Sequence, residues 1–163
     1  MKPITPCLWF DGDAEAAATF YTDLFDDSWI THVDRYPSGT PGGAEGEVMT
    51  VSFELRGSPF IGLNGGPAFT FSEAVSFEIL CDGQAEVDRY WDAFLAGGGV
   101  ESQCGWLKDR WGVSWQVVPE RLYELMRMPD RDAVNRMTAA MMTMKRLDQA
   151  ALERAFGGEA VPS

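Results

Sequence analysis

The chain has 163 residues, of which 45% are hydrophobic, 23% are charged and 12% are aromatic. A chain of this size and composition can bury a substantial core, and it contains no biased tract that indicates disorder. Its 13 Lys and Arg residues against 25 Asp and Glu residues give a formal charge of −12, which repels phosphate backbones and anionic lipids. We therefore expect neither a nucleic acid nor a membrane as a partner.

The sequence predicts the same order of elements twice: a strand, a helix and three further strands. In the first module, residues 1–70, the apolar run ITPCLWF is a strand that enters the turn Asp11-Gly12. In the second module, residues 71–119, the alternating run VSFEILC is the corresponding strand. The remaining strands are predicted at 28–36, 47–55 and 58–63 in the first module and at 100–105, 106–110 and 112–118 in the second.

A repeat in the letters of the sequence supports this duplication. The turn DGDAE at 11–15 recurs as DGQAE at 82–86, 71 positions later. Asp13 is the expected N-cap of the first helix, and Gly97-Gly98-Gly99 is expected to end the second. At the same offset of 71, the predicted buried faces are Ala16, Phe20 and Leu24 in the first helix and Val87, Trp91 and Leu95 in the second. Agreement at one offset predicts a unit built twice.

The C-terminal part of the chain, residues 120–163, is predicted to be helical. It carries a stripe of apolar residues at helical spacing: Met137, Ala140, Met141, Met144 and Leu147. Methionine packs adaptably, so the stripe indicates core or a dimer contact rather than a cofactor site. The whole chain is predicted to be one α+β domain with this helical extension.

The cysteines indicate where the protein resides. Cys7, Cys81 and Cys104 have no CxxC spacing and no Cys/His grouping, which argues against a disulfide framework and a structural zinc site. The N-terminus lacks the apolar run of a signal peptide, and no segment approaches the ~18 apolar residues of a membrane span. We therefore expect a cytoplasmic protein.

Four stretches of the chain carry a family resemblance: PCLWFDGDAEAAATFYTDLF, FIGLNGGPAFTF, CGWLKDRWGVSWQVVP and AVNRMTAAMMTMKRLDQAALERAF. Together with the doubled module, they resemble the PhnB-like branch of the vicinal oxygen chelate superfamily, whose fold is that of glyoxalase I and the bleomycin and fosfomycin resistance proteins. Members of the branch often carry the description 3-demethylubiquinone-9 3-methyltransferase. The resemblance implies two curled sheets whose concave faces enclose a small-molecule pocket, and a homodimer.

Metal-using members of the superfamily place one ligand on the first and one on the last strand of each module. The resemblance transfers these positions to neutral residues: Thr5, Gly62 or Asn64, Ser76 and Gln116. Because transition metals prefer thiolate, imidazole or carboxylate donors, we expect no metal and no other cofactor. The one histidine, His32, lies near Asp34, and a structural or surface role is favoured because a single imidazole cannot build a site.

The predicted pocket binds a small organic ligand. The resemblance implies that Thr5, Ser76 and Gln116 face the pocket, with Asn64 at its mouth and Trp106 on the neighbouring strand. Because residues two apart on a strand share a face, Cys7, Trp9, Glu78 and Ser114 then face it as well. Aromatic surface with a few polar groups suits a planar or partly apolar ligand. Glu78 is the inward residue able to act as a base, and the alternative is a surface or bridging carboxylate. Cys7, without a nearby histidine, is interpreted as a small apolar residue rather than a nucleophile.

Two functions stay open at this point. The chain is either a metal-independent lyase, isomerase or hydrolase with Glu78 as its base, or a ligand-sequestration protein without catalysis. A methyltransferase is not expected, because a methyl donor would ordinarily sit on an alternating β/α sheet with a glycine-rich first turn. Surplus length around residues 36–46 offers an arm that gives further support to a homodimer.

Overall fold

The computed structural model describes residues 4–159, in which eight strands and five helices form an α+β fold. It consists of two compact units, one ending at Phe71 and the other beginning at Ser72. Each unit contains one strand-helix-strand-strand-strand module, and the second unit also contains the C-terminal helices. The predicted fold class is therefore confirmed. Within residues 4–159, no helix has both the length and the apolar sequence needed to cross a membrane.

The first module is one four-stranded sheet with a single helix. Its elements are β1 (Cys7–Phe10), α1 (Ala14–Leu24), β2 (Ser28–Arg35), β3 (Val48–Leu55) and β4 (Ser58–Asn64). The strand order is β1-β4-β3-β2. β1 pairs in parallel with β4, and the other neighbours pair antiparallel. A parallel pair needs a crossover connection, and α1 begins that crossover.

The second module repeats this topology. Its elements are β5 (Ser76–Cys81), α2 (Gln84–Ala96), β6 (Val100–Glu101), β7 (Trp106–Lys108) and β8 (Ser114–Pro119), in the order β5-β8-β7-β6. β5 and β8 are parallel, and the other pairs are antiparallel. The helical extension follows at once as α3 (Glu120–Met126), α4 (Arg131–Met141) and α5 (Gln149–Gly157).

Helix α1 packs on its sheet mainly through small residues. Its buried residues are Ala14, Ala17, Ala18, Tyr21 and Leu24. Ala14 lies so close to β4 that a Cβ added at Gly62 would be 3.1 Å from the Ala14 Cβ. The predicted buried face was right for Leu24 but wrong for Ala16, which is exposed, and for Phe20, which is half-buried.

Helix α2 packs through larger residues, namely Val87, Tyr90, Trp91 and Phe94. Val87 and Trp91 are buried as predicted, whereas Leu95 is half-buried. These four residues follow Ala14, Ala17, Ala18 and Tyr21 by 73 positions rather than 71. Helix α1 begins two residues after Gly12, whereas α2 begins one residue after Gly83. Residues at the same distance from the two turns therefore do not lie on the same face of their helices.

The predicted strand 100–105 is much shorter than expected, because β6 ends at Glu101. Cys104 and Gly105 have φ angles of +57° and +82°, which a strand cannot contain. Their backbone N–H groups instead donate to the carbonyls of Met144 and Lys145, at 2.7 Å each. The N–H groups at this point therefore pair with the C-terminal extension, while the Gly105 carbonyl still accepts a hydrogen bond from the Val117 N–H of β8 at 2.8 Å.

A buried carboxylate organises the connection between β7 and β8. Asp109 accepts hydrogen bonds from the backbone N–H groups of Trp111 and Val113 and from the Trp115 indole N–H, each at 3.0 Å. The Trp115 ring then packs against Phe94 of α2, at 5.1 Å between centroids. Asp109 thus fixes both the turn and the tryptophan that joins the sheet to its helix.

The C-terminal extension has its own core and is fastened to the second module. Its buried cluster is formed by Val118, Leu122, Leu125, Met137, Leu147 and Leu152. Met144 and Leu147, predicted on a helix, lie in the loop between α4 and α5. The Gln84 side chain holds this loop: its amide N–H donates to the Leu147 carbonyl, and its Oε1 accepts from the Gln149 N–H at 2.8 Å.

The long connection between β2 and β3 folds back on its own module. Backbone hydrogen bonds join Tyr36 N–H to the Glu47 carbonyl and Gly46 N–H to the Tyr36 carbonyl. Gly43 lies against the Tyr36 ring, because a Cβ at Gly43 would be 2.4 Å from it. This segment closes over a tyrosine, so its length does not by itself indicate an arm that reaches a partner.

Replacing Asp109 with Asn should lower the free energy of unfolding by about 2 kcal/mol, because one oxygen that accepts N–H groups becomes an NH₂ group. Urea denaturation followed by tryptophan fluorescence measures the change. The control is Asp23→Asn on the exposed side of α1, for which we expect less than about 0.5 kcal/mol. Equal effects of the two substitutions would contradict the role of Asp109.

Replacing Gln84 with Ala should loosen the α4–α5 loop, because three hydrogen bonds of its side chain are lost. Hydrogen–deuterium exchange at the Gln149 amide should become about tenfold faster or more. Gln103→Ala, which removes an exposed glutamine from the same unit, should leave this exchange rate unchanged. Slow exchange in both variants would show that the loop is held in another way.

Candidate ligand-binding site

The predicted pocket residues of the first module lie on and before β1. Leu8 and Phe10 are buried, whereas Cys7 is exposed and Trp9 is half-buried, so Cys7 and Trp9 share the opposite face. Thr5 precedes the strand and is half-buried. Although Cys7 is exposed, its neighbours partly desolvate the thiol and raise its pKa. A raised pKa leaves less thiolate, which disfavours a nucleophilic role.

Trp9 is occupied by contacts within its own module. Its indole N–H donates to the Gly66 carbonyl at 2.7 Å. Its ring lies directly over Gly65, where an added Cβ would be 2.2 Å away, and meets Phe69 edge-on at 5.0 Å between centroids. One surface of Trp9 is therefore used to hold the turn after β4.

Asn64, predicted at the mouth of the pocket, is buried and has a structural role. Its Oδ1 accepts a hydrogen bond from the Ala14 N–H at 2.9 Å, and its Nδ2 donates to the Val48 carbonyl at 3.0 Å. Asp13, the expected cap of α1, makes no side-chain capping bond within the described residues. Asn64 thus satisfies the start of α1 across the module, and both its amide oxygen and its amide nitrogen already have a partner within the protein.

A hollow of about 450 Å³ lies beside this amide, lined by Asp11, Gly12, Glu15, Tyr36, Gly42, Glu47, Val48, Asn64 and Gly66. Its neutral polar groups are already used, since the Tyr36 hydroxyl donates to the Asn64 carbonyl. Three carboxylates remain, and no three His, Cys, Asp or Glu side chains among residues 4–159 converge on a metal position. Although its volume suits a ligand, its chemistry offers little to hold one.

The second module brings the other predicted residues together on one face of its sheet. Register places Trp106, Gln116 and Glu78 side by side in one row, and Lys108, Ser114 and Ser76 in the next. Directly opposed residues project to the same side of a sheet. We call these six residues the polar face. Glu78 is exposed, Ser114 is buried and the other four are half-buried.

Two positions that the family resemblance assigns to metal ligands contact each other on this face. The Gln116 Nε2 group donates a hydrogen bond to the Ser76 Oγ at 2.8 Å. An amide and a hydroxyl are weak donors to a transition metal, and here they satisfy one another. The residues present therefore do not fit a metal ion.

Glu78 has a partner that sequence reasoning missed. The Tyr123 hydroxyl, from α3, donates a short hydrogen bond to the Glu78 carboxylate. This bond is the main cause, and partial burial the second, of a pKa of about 12 for Tyr123. Glu78 itself is exposed. The sequence does contain a pattern that could have indicated Tyr123. This residue lies on the helix that begins where β8 ends, next to the buried residues Leu122 and Leu125.

His32 is exposed and lies 3.1 Å from the Asp34 carboxylate. The other oxygen of Asp34 accepts from the Thr50 hydroxyl at 2.9 Å. These contacts give His32 the surface role that its sequence position favours.

Comparisons with known proteins identify relatives of the chain. The family described as 3-demethylubiquinone-9 3-methyltransferase matches residues 2–118. A PhnB protein from Bacillus cereus is 35% identical over 72% of this chain and 99% of its own, with a TM-score of 0.65. PA1353 from Pseudomonas aeruginosa is 22% identical over 74% of this chain and 98% of its own, with a TM-score of 0.59. No functionally curated protein matches the chain.

A more distant structure shows the same fold. FosX, a fosfomycin resistance protein from Listeria monocytogenes in complex with Mn(II) and sulfate, is 14% identical over 76% of this chain and 96% of its own, with a TM-score of 0.50. The family match ends at residue 118. Tyr123 and residues 133–156, the last of the four stretches that carry the family resemblance, therefore lie outside the match.

Replacing Glu78 with Gln should lower the pKa of Tyr123 from about 12 toward its ordinary 10.0, because the carboxylate that holds the phenol proton is lost. Tyrosinate absorbance measures it, as the difference between each protein and its Tyr123→Phe variant. The stability that this bond contributes is present below pH 10.0 and is lost as the pH rises toward about 12. Glu120→Gln, on the same helix, is the control, and an equal shift in both would refute a specific pairing.

Proposed function

This chain belongs to the family described as 3-demethylubiquinone-9 3-methyltransferase, in the vicinal oxygen chelate superfamily, and we propose that it binds a small organic molecule on the polar face without a metal ion. The observation that carries the proposal is the hydrogen bond between Gln116 and Ser76, the two positions that the family resemblance assigns to metal ligands in this module. Neutral groups that bind one another are suited to hydrogen-bond a ligand and not to replace the water of a cation.

The polar face retains hydrogen-bonding capacity that a ligand can use. Gln116 donates through Nε2 to Ser76, which leaves its Oε1 as an acceptor for a ligand N–H or O–H. Tyr123 occupies one oxygen of Glu78 and leaves the other accessible. Trp106, opposite Gln116 in the register, adds a flat surface. Such a combination orients a planar molecule by a few hydrogen bonds over an aromatic ring.

Glu78 is the residue of this face that can take a proton from a bound ligand. The Tyr123 phenol keeps its own proton at neutral pH, because its pKa is about 12, and so it acts as a donor that fixes the carboxylate. The chemistry supported is a reaction that begins with proton removal, namely an isomerisation, an elimination or a hydrolysis in which Glu78 activates water. Glu78 is then the catalytic base and Tyr123 its positioning residue.

The alternative is sequestration of the ligand without a reaction. The exposure of Glu78 favours it, because bulk water has access to the carboxylate that would have to take the proton from the ligand. In this case the residues of the polar face serve only to bind the ligand.

A methyl-transfer reaction is not part of the proposal, although the family description names one. Both sheets are mixed, with one parallel and two antiparallel pairs, and each has a single helix after its first strand. A dinucleotide or methyl-donor site of the common type needs successive parallel β-α units with a glycine-rich turn.

The proposal places the protein in the cytoplasm as a homodimer. The cytoplasm is supported by the three cysteines, Cys7, Cys81 and Cys104, since none of them forms a disulfide within residues 4–159. A dimer is supported by edge strand β2, where Trp29 is 50% exposed, since a partner copy can cover an apolar side chain of this size.

A thermal-shift screen against a metabolite library should identify a stabilising ligand, and the purified protein should contain far less than one equivalent of zinc, nickel or manganese. Gln116→Ala should weaken the ligand about tenfold or more, because both its acceptor and its hold on Ser76 are lost. Gln103→Ala should bind as the unmodified protein does. Metal at one equivalent per chain, after purification without added metal, would overturn the metal-free site.

Recovery of the ligand after incubation separates the two functions. If Glu78 is the base, the ligand is recovered altered, and Glu78→Gln still binds it but no longer converts it. An unaltered ligand assigns the protein to sequestration.

A further inference from the structure

The second row of the polar face contains a cation between hydroxyl groups. Lys108 is directly opposite Ser114 across β7 and β8, and Ser114 is directly opposite Ser76 across β5 and β8. Opposed side chains of this kind lie about 5 Å apart at their Cβ atoms. This row therefore offers a positive charge and hydroxyl donors along one line.

Ser114 is an unexplained polar group in this row. The residue is 1% exposed, and its hydroxyl has no hydrogen-bond partner among the described residues. Buried hydroxyl groups without partners are rare in native proteins, and each one calls for an explanation such as a missing ligand. The flanking side chains are a lysine and a serine, so an oxygen acceptor is the group that would complete the site.

An internal carboxylate already binds the cation. Glu73, in the turn before β5, forms an ion pair with the Lys108 ammonium, and the hydrogen bond from Lys108 holds the pKa of Glu73 below its usual range. The Lys108 side chain is 39% exposed and the Glu73 side chain is 62% exposed. Exposed ion pairs are weak, so an external carboxylate can take the place of Glu73.

The charges of the face set the direction of a bound molecule. Trp106 lies two residues from Lys108 on β7 and on the same side, in the row that also contains Glu78. The Glu78 carboxylate repels an anion, whereas Lys108 attracts one. A flat molecule on Trp106 therefore directs an acidic group toward Lys108 and a neutral group toward Gln116 and Glu78.

From these observations we propose that the ligand is a planar, aromatic or conjugated carboxylate. Its carboxylate displaces Glu73 from Lys108 and accepts a hydrogen bond from the Ser114 hydroxyl when Lys108 moves, while its flat body lies on Trp106. This inference rests on the proposed function and specifies the ligand class of the same site.

Benzoate and its neutral analogue benzamide are the probes, with dissociation constants measured by NMR titration. Benzoate should bind about tenfold more tightly than benzamide, and Lys108→Met should abolish the difference, because the charged contact is removed. Glu73→Gln should strengthen benzoate binding by removing the internal competitor. Lys145→Met is the matched control, since Lys145 forms a similar exposed ion pair with Glu101, and it should change neither constant.

The outcomes separate this subsite from the proposed function. Equal binding of benzoate and benzamide, unaffected by Lys108→Met, overturns the carboxylate subsite but leaves a ligand site at Gln116 and Trp106 in place. Absence of binding by both probes overturns the subsite, and the metabolite screen then decides the proposed function alone. Ser114→Ala should raise the dissociation constant of benzoate severalfold. If this substitution raises the melting temperature and leaves the dissociation constant unchanged, the Ser114 hydroxyl has no part in binding.

Discussion

The parallel pairing between the first and last strands of each module is the constraint on which the rest of the structure depends. In the second module it places Glu78 beside Gln116 and Ser76 beside Ser114, residues 38 apart in the chain. A parallel pair cannot be closed by a tight turn, so the chain must cross through a helix and two further strands before it returns. The polar face is the product of that return, since it exists only when β8 reaches the side of β5.

Much of this architecture can be predicted from the sequence, because strand alternation is a local property. The faces of β1, β5 and β8 follow directly from the period of two. The helix faces do not follow from the repeat, because Asp11-Gly12 and Asp82-Gly83 lead into their helices with different spacing. Contacts between segments that are distant in the sequence also cannot be predicted from the periodicity of the residues. The amide of Asn64 satisfies the start of α1 from 50 positions away, and no local signal distinguishes that task from ligand binding.

Tyr123 illustrates the same limit at the site itself. Helix propensity and apolar spacing predict α3, and Leu122 and Leu125 give its buried side. What brings the phenol to Glu78 is the packing of α3 into the core that also contains Leu147 of the α4–α5 loop, whose carbonyl is held by the Gln84 side chain. The residues of the polar face belong to the duplicated sheet, a scaffold that hosts many functions, whereas Tyr123 belongs to the C-terminal extension, which lies outside the family match.

The left-handed backbone at Cys104 and Gly105 has a consequence for how such proteins diversify. Because two N–H groups turn away from the sheet, they bind the carbonyls of Met144 and Lys145 in the C-terminal extension through contacts that do not depend on side-chain identity. Appended segments with different sequences can dock in the same place and present different side chains above an unchanged sheet. Replacement of the C-terminal extension can therefore change the side chains that meet the polar face while the four-stranded sheet of the second module stays the same.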